Sequence, residues 1–198
     1  MEIDKYYQYL EFEKKGLKKQ AKTLLYKFID SFSNYEEKRK WTFEFLPFLE
    51  KNQHSKIRHE LYENIVFPVL LDGYNNHDVI SMHWMAKTIN NIYSSKILSK
   101  KIGDKTDVQI IKECYKIDPL NEEIVKTFLE LEIRFISFSQ HEWPSAILFG
   151  MNGASLEECL YIKNNLNFIR LLDKEKKYSK YINDYELKLD LYINRLKI

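Results

Sequence analysis

Residues Lys112–Leu131 read KECYKIDPLNEEIVKTFLEL, an Asp-Pro pair set between two segments of helical periodicity. Upstream, Val108, Ile111, Cys114 and Tyr115 recur at steps of three and four; downstream, Ile124, Phe128, Leu131 and Phe135 do the same. Each segment therefore has one apolar face that must be buried against other helices. One helix ends and another begins with almost no loop between them. Asp118 is expected to cap the second helix through its carboxylate, and Pro119 to occupy its first position, where no amide donor is needed.

The rest of the composition suits the same class. The chain has 198 residues, 44% of them hydrophobic and 30% charged, with only 5 Gly and 4 Pro. That leaves little material for the many tight turns of a β sandwich, and unbroken mixtures of charged and apolar residues favour helix. At this length about 70% of the unfolded surface can be buried, so a core needs neither disulfide nor metal. Lys plus Arg (31) nearly balance Asp plus Glu (29), for a net charge of +2, which gives no electrostatic case for nucleic acid. No apolar run is long enough to span a bilayer and no cationic leader precedes an apolar stretch, so no membrane association is expected. Cys114 and Cys159 both fall within helical patterns, and the expectation is a cytoplasmic protein with reduced thiols. The abundance of Lys, Ile, Asn and Tyr suggests an AT-rich bacterial genome.

Working outward, Ile3, Tyr6, Tyr7 and Leu10 form one stripe, Gly16 interrupts it, and Leu17, Ala21, Leu24, Leu25, Phe28 and Phe32 form the next. This spacing predicts a helical hairpin with Gly at its turn. Ser33-x-x-Glu36 has capping-box spacing and opens a third helix carrying Trp41, Phe45, Phe48 and Leu49. A fourth runs from about Ser55 to Leu71 with Ile57, Leu61, Ile65 and Val69 inward. Pro47 and Pro68 should kink or divide these two helices. Asp72-Gly73 ends the fourth, and Asn75 or Asn76 caps a fifth that reaches Tyr93 with Val79, Ile80, His83, Trp84 and Ile92. Ser94–Lys105 is a Lys-rich connector, and Thr106-x-x-Gln109 is a second capping box. After the helix that follows Pro119, Trp143-Pro144 stops the pattern. The chain is then irregular to Ala154, Ser155–Glu158 caps an eighth helix, and Asp173–Lys177 is a solvated break. A last helix carries Tyr178, Tyr181, Ile182, Tyr185, Leu189, Tyr192, Ile193 and Leu196. The expected fold is one all-α domain over residues 1–198, about nine helices in stacked antiparallel hairpins, α-solenoid-like but irregular.

Two places resemble the tetratricopeptide repeat, a helical hairpin of roughly 34 residues that stacks into a superhelix. In KKGLKKQA (14–21), Gly16 lies five residues before the small Ala21 that lets two helices approach, and Leu25 and Phe28 fall on later apolar positions. In YKIDPLNE (115–122), the Asp-Pro pair is similar to the boundary between successive repeats. The resemblance implies tetratricopeptide-like hairpins, and by analogy a surface that holds a peptide or a partner protein.

Candidates for chemistry are sparse. His54 and His59 are five apart and His77 and His83 six apart, and neither spacing makes a chelating pair, so no metal and no cofactor are expected. His83 beside Trp84 reads as a half-buried helix residue. His141-Glu142, at a helix end near the irregular stretch, is the best acid-base candidate and defines the rival reading, a helical enzyme whose site gathers His141, Glu142 and His83. Glu157 and Glu158 disfavour a thiolate at Cys159, and Cys114 lies on a core-facing stripe. Gly150–Ser155 leads into a helix N-terminus, where free amides could hold a phosphate, but the same residues make an ordinary turn and cap. Lys14–Lys22 and Lys96–Lys105 read as solvated faces and a loop before they read as a nucleic-acid surface.

The stretch with most functional promise is FSQHEWPSAILF (138–149), apolar without clean helical spacing. It either caps the helical stack or leaves an apolar patch for a partner, and the Tyr stripe of the last helix poses the same alternative. The expectation is a non-enzymatic module that binds another protein or peptide, for instance an immunity or regulatory partner. Phe138, His141, Trp143, Phe149, Tyr181 and Tyr185 are its candidate contact residues, and Trp143 is the expected anchor.

Overall fold

Gly16, at φ +74°, is where the chain first reverses, and its hydrogen bonds show why glycine stands there. Leu17 N donates to Phe12 O and Gly16 N to Glu13 O, at 2.9 and 3.0 Å, the paired bonds of a Schellman motif whose turn residue is left-handed. A Cβ at Gly16 would meet nothing within 4 Å, so backbone conformation and not space selects the residue. The turn joins α1 (Ile3–Lys14) to α2 (Lys18–Asp30), which pack side by side as expected.

The computed structural model describes residues 1–51 and 57–197. Helix is the dominant structure among them, so the all-α expectation holds. The chain divides into two compact units, Met1–Ile110 and Ile111–Ile198.

In the first unit α1 and α2 are followed by α3 (Tyr35–Lys51), α4 (His59–Leu61), a π-helical turn (Tyr62–Val66), α5 (Phe67–Asn75), α6 (Val79–Lys87), α7 (Ile89–Tyr93) and α8 (Lys96–Lys101). Tyr6, Phe28, Trp41 and Phe45 are its buried aromatic centre. Trp41 stacks on Phe45 with centroids 4.2 Å apart, and Tyr6 meets both edge-on at 5.8 Å. Offset and edge-on geometries of this kind add to area burial because ring edges are positive and faces negative. The α1 stripe is rotated from the expected one: Tyr6 and Tyr9 are buried, whereas Tyr7 and Leu10 are exposed.

The two prolines act differently. α3 continues as helix through Pro47 to Lys51, with Phe48 turned outward rather than inward. Pro68 is preceded by the π turn, and there the helix is divided. Proline lacks the amide that would bond the carbonyl four residues earlier and crowds that carbonyl. The carbonyl at stake is Asn64 O, and Lys38 Nζ donates to it instead, at 3.2 Å. His54 and the expected start at Ser55 lie outside the described residues, while Ile57, Leu61, Ile65 and Val69 are all buried.

Several boundaries move by a few residues. Asn34, not Ser33, accepts the Glu37 amide at 3.0 Å, and Glu37 accepts from Ser33 N at 2.9 Å, so the third helix opens one residue later than expected. Gly73 lies inside α5; the left-handed residue that ends it is His77, at φ +57°, with Asp78 N bonded to Gly73 O and His77 N to Tyr74 O. Gly73 serves close approach instead: a Cβ there would lie 2.0 Å from Ser81 Oγ on α6. Asp78, not Asn75 or Asn76, caps α6 by accepting from Ser81 N. Ile80 is exposed, and Met82, Met85, Ile89 and Ile92 take the buried face. The Lys-rich connector contains α8, capped by Ser95.

α9 (Asp107–Ile117) opens with the expected box, Thr106 N to Gln109 Oε1 at 2.8 Å and Gln109 N to Thr106 Oγ1 at 3.2 Å. It crosses from the first unit into the second, which continues with α10 (Glu122–Ser139), α11 (Leu156–Leu172) and α12 (Ser179–Leu196). Asn121, not Asp118, caps α10, and Asp118 accepts from the Asn121 side chain at 3.3 Å. The expected absence of any sheet fails in one small place. Leu148–Phe149 (β1) pairs antiparallel with Asn152–Gly153 (β2) around Gly150, at φ +64°. Ser155 and Glu158 form the expected capping box on α11. The break before α12 is not fully solvated: Asp173 is buried, and its carboxylate accepts from the amides of Lys177 and Tyr178 at 2.9 and 2.8 Å.

Leu25→Ala and Phe128→Ala each remove a side chain with essentially no exposed surface and should destabilise by roughly 2 to 5 kcal/mol, read as lowered denaturant midpoints. Gly73→Ala should cost about 1 to 3 kcal/mol through overpacking against Ser81. An unchanged midpoint for it would show that α5 and α6 separate without penalty.

Candidate functional site

The 138–149 stretch is held to α12 along most of its length. At the end of α10, Ser139 Oγ is hydrogen-bonded to the Tyr185 hydroxyl at 2.7 Å, both groups buried. Gln140 next donates through Nε2 to Tyr181 Oη at 2.7 Å and accepts from Lys188 Nζ at 2.9 Å. Arg195, on the last turn of α12, donates to Pro144 O at 2.7 Å and lays its guanidinium over the Trp143 ring, 5.0 Å from the centroid. Around these contacts Ile136, Ile147, Ala154, Cys159, Ile162, Leu166, Ile169, Ile182 and Leu189 form a continuous apolar core.

This arrangement sorts the six candidate contact residues. Tyr185 is fully buried and offers no surface; burial pushes its hydroxyl up to about 12. Tyr181 is half-buried, with its hydroxyl taken by Gln140. Trp143 is half-buried, packed on the core beneath Arg195. Phe138 and His141 are exposed, and Phe149 is half-buried. Phe149 is the middle of a chain of rings, edge-on to Phe135 and to Tyr161 with both centroid distances 6.1 Å. Phe138 sits three residues from Phe135 on α10 and so neighbours it on the helix surface. Tyr161 is 57% exposed and Met151, at the tip of the β ribbon, is 90% exposed. Phe135, Phe149 and Tyr161 thus form a run of rings that leads from the core surface out to Tyr161, and Phe138 and Met151 are exposed as well. Tyr161 was not singled out by the sequence, and Met151 only as part of the Gly150–Ser155 turn: Tyr161 sits on the flank of a helix whose neighbours fit a core stripe, and its contact with Phe149 exists only after the ribbon folds back.

His141 and Glu142 are both exposed, with Nδ1 and Oε1 3.1 Å apart. The pair sits on open surface, where water screens it. His83 belongs to the other unit, its ring beside Trp84 at 6.4 Å. The amides leading into α11 are engaged, since Ser155 N donates to Glu158 Oε2 at 2.8 Å and Glu158 N to Ser155 Oγ at 3.3 Å. Two of the donors a phosphate would need are therefore taken. Both thiols are free and fully buried, and burial pushes Cys114 up to about 12 and also raises Cys159. Among the described residues, no three His, Cys, Asp or Glu side chains gather as ligands for a metal ion.

A concave feature lies elsewhere on this unit, a cleft of about 410 Å³ between the first half of α10 and the segment from Leu172 to Tyr178. Val125, Leu129, Leu172 and Tyr178 line it, with Glu and Lys side chains of both signs around the mouth. No sequence motif marked it.

A second buried carboxylate of this unit, besides Asp173, is Glu132, 8% exposed on α10, which accepts from Asn165 Nδ2 at 2.8 Å. Desolvation raises its pKa, opposed by the Asn165 hydrogen bond and by Lys112.

No family model matches the chain, and no curated protein and no solved structure matches it. Among the described residues, no helix is long and apolar enough to cross a membrane.

Because the folded pKa of Glu132 is raised, its contribution to stability is present at low pH and lost as pH rises through the folded value. Glu132→Gln keeps an acceptor for Asn165 and removes the buried charge. It should raise the denaturant midpoint at pH 7, with the advantage shrinking as pH falls through the raised folded value and gone once pH lies below the ordinary carboxylate range. A difference independent of pH would place the effect in packing rather than ionisation.

Proposed function

We propose that the chain is a non-enzymatic binding module of tetratricopeptide-like helical hairpins that engages another protein or peptide in the bacterial cytoplasm, in the manner of an immunity or regulatory partner protein. The observation that carries the reading is the outward chain of rings from Phe135 through Phe149 to Tyr161, continued by exposed Phe138 and Met151. An exposed aromatic cluster costs solubility and is characteristic of surfaces that a partner desolvates. It is supported on a rigid base, because the same segment is held to α12 through Tyr185, Tyr181 and Arg195. Pre-held rings lose little side-chain entropy on binding.

Within this reading the anchor moves from Trp143 to Tyr161 and Phe138. Affinity capture from the native host followed by titration of the recovered partner tests it. Tyr161→Ala and Phe138→Ala should each weaken binding by at least about 2 kcal/mol, roughly thirtyfold in Kd, with the melting temperature unchanged. Trp143→Ala should instead cost about 3 kcal/mol of stability, because it exposes the core beneath Arg195. Full affinity in both surface variants would remove the aromatic patch from the interface.

A further inference from the structure

The cleft between the first half of α10 and the segment from Leu172 to Tyr178 shares no residue with the rings that run from Phe135 to Tyr161. At about 410 Å³ it falls within the span of roughly 300 to 1,000 Å³ that small-molecule sites occupy. Val125, Leu129, Leu172 and Tyr178 give it an apolar lining, and each of them is buried or half-buried. Such a lining takes an apolar body, and the polar groups around it decide which charge that body carries.

Those polar groups do not cancel. Five carboxylates line the cleft against three lysines, a net charge of −2. Among the described residues, none of Glu122, Glu123, Glu130 and Glu175 is held in an ion pair. Glu122 and Glu123 have a local reason to be where they are, in the first turn of α10, where the helix dipole favours carboxylates. Glu130, in the middle of that helix, has no such reason. The fifth carboxylate, Asp173, is 5% exposed and accepts from the amides of Lys177 and Tyr178. Among the described residues no lysine or arginine pairs with it. A buried carboxylate is ordinarily accompanied by a cation, and an ammonium group in the cleft supplies that countercharge. The aromatic wall suits the same group: Lys177 Nζ already lies over the Tyr178 ring, 5.1 Å from its centroid.

We propose that this cleft binds a small organic ammonium ion, an amine whose apolar body lies on Val125, Leu129 and Leu172 and whose charge is met by Asp173, Glu130 and Glu175. The full-length protein, isotope-labelled for amide spectra, is titrated with hexylamine, hexanol and hexanoate, which share one apolar body and differ in charge. Each is taken to about 10 mM, beyond the millimolar Kd of a weak small ligand. Hexylamine should shift the amides of residues 120–130 and 172–178 saturably. Its Kd should lie at least about tenfold below that of hexanol, because hydrogen bonds to charged groups exceed those to neutral ones, and hexanoate should not saturate. Glu130→Gln combined with Glu175→Gln, both at exposed positions, should weaken hexylamine at least about fivefold and leave hexanol affinity and the melting temperature unchanged. Equal affinity for hexylamine and hexanol, a preference for hexanoate, shifts outside the cleft, or full hexylamine affinity in the double variant overturns the proposal. Tighter binding of the peptide acetyl-Leu-Lys-Leu-amide than of hexylamine also overturns it, by assigning the cleft to a lysine of a partner chain.

Discussion

The second unit depends on burying one stripe of α12. Ile182, Tyr185, Leu189 and Ile193 lie on the same side of that helix and meet Ile136 of α10, Ile147 of the ribbon segment and Ile162, Leu166 and Ile169 of α11 in one core. In proteins most helical stability comes from packing an amphipathic face, so the apolar contact more than local propensity holds α12 in place. Once it is placed, its polar side chains are delivered to fixed points on the preceding chain. Tyr185 reaches Ser139, Lys188 and Tyr181 reach Gln140, and Arg195 reaches Pro144 and Trp143. The irregular stretch after α10 is ordered by a helix that comes some forty residues later, and the outward rings follow from that ordering.

This dependence explains what the sequence could and could not disclose. The two side-chain capping boxes at Thr106–Gln109 and Ser155–Glu158 were legible because both partners of each bond lie within four residues. Where two candidates stood side by side, as with Ser33 and Asn34, spacing alone could not choose, and Glu37 rather than Glu36 completed the exchange. Stripe phases were misread where apolar residues are dense: Tyr6 and Tyr9 are buried although Tyr7 and Leu10 fit a helical stripe nearly as well. Gly73 read as a helix end because glycine commonly ends helices. Its reason lies in Ser81, a contact that only the folded pair of helices creates.

The candidate site shows the same limit more sharply. Aromatic content marked residues 138–149 and the Tyr stripe as one promising region, yet tertiary contacts divide its residues into two kinds. Tyr185, Tyr181 and Trp143 brace the segment, while Phe138, Phe149 and the unanticipated Tyr161 form its outer surface. Tyrosine suits either duty, since its ring is apolar and its hydroxyl needs a partner. Only the identity of that partner, a side chain of the same unit or open water, separates them.

The pairing of sequence neighbours also bears on how the chain acquires this structure. α1 packs on α2, α5 on α6 and α11 on α12, so much of the burial joins segments separated by a short turn. Closing such loops costs little entropy, and chains dominated by local contacts fold in microseconds to milliseconds. During synthesis the Gly16 hairpin can form while later residues are still being added, at about 5 to 20 residues per second. The segment containing Trp143 and Pro144 has no such advantage, because its braces on α12 emerge last. For several seconds of translation its aromatic residues are exposed without their supports, and that interval is when the nascent chain most needs protection from aggregation.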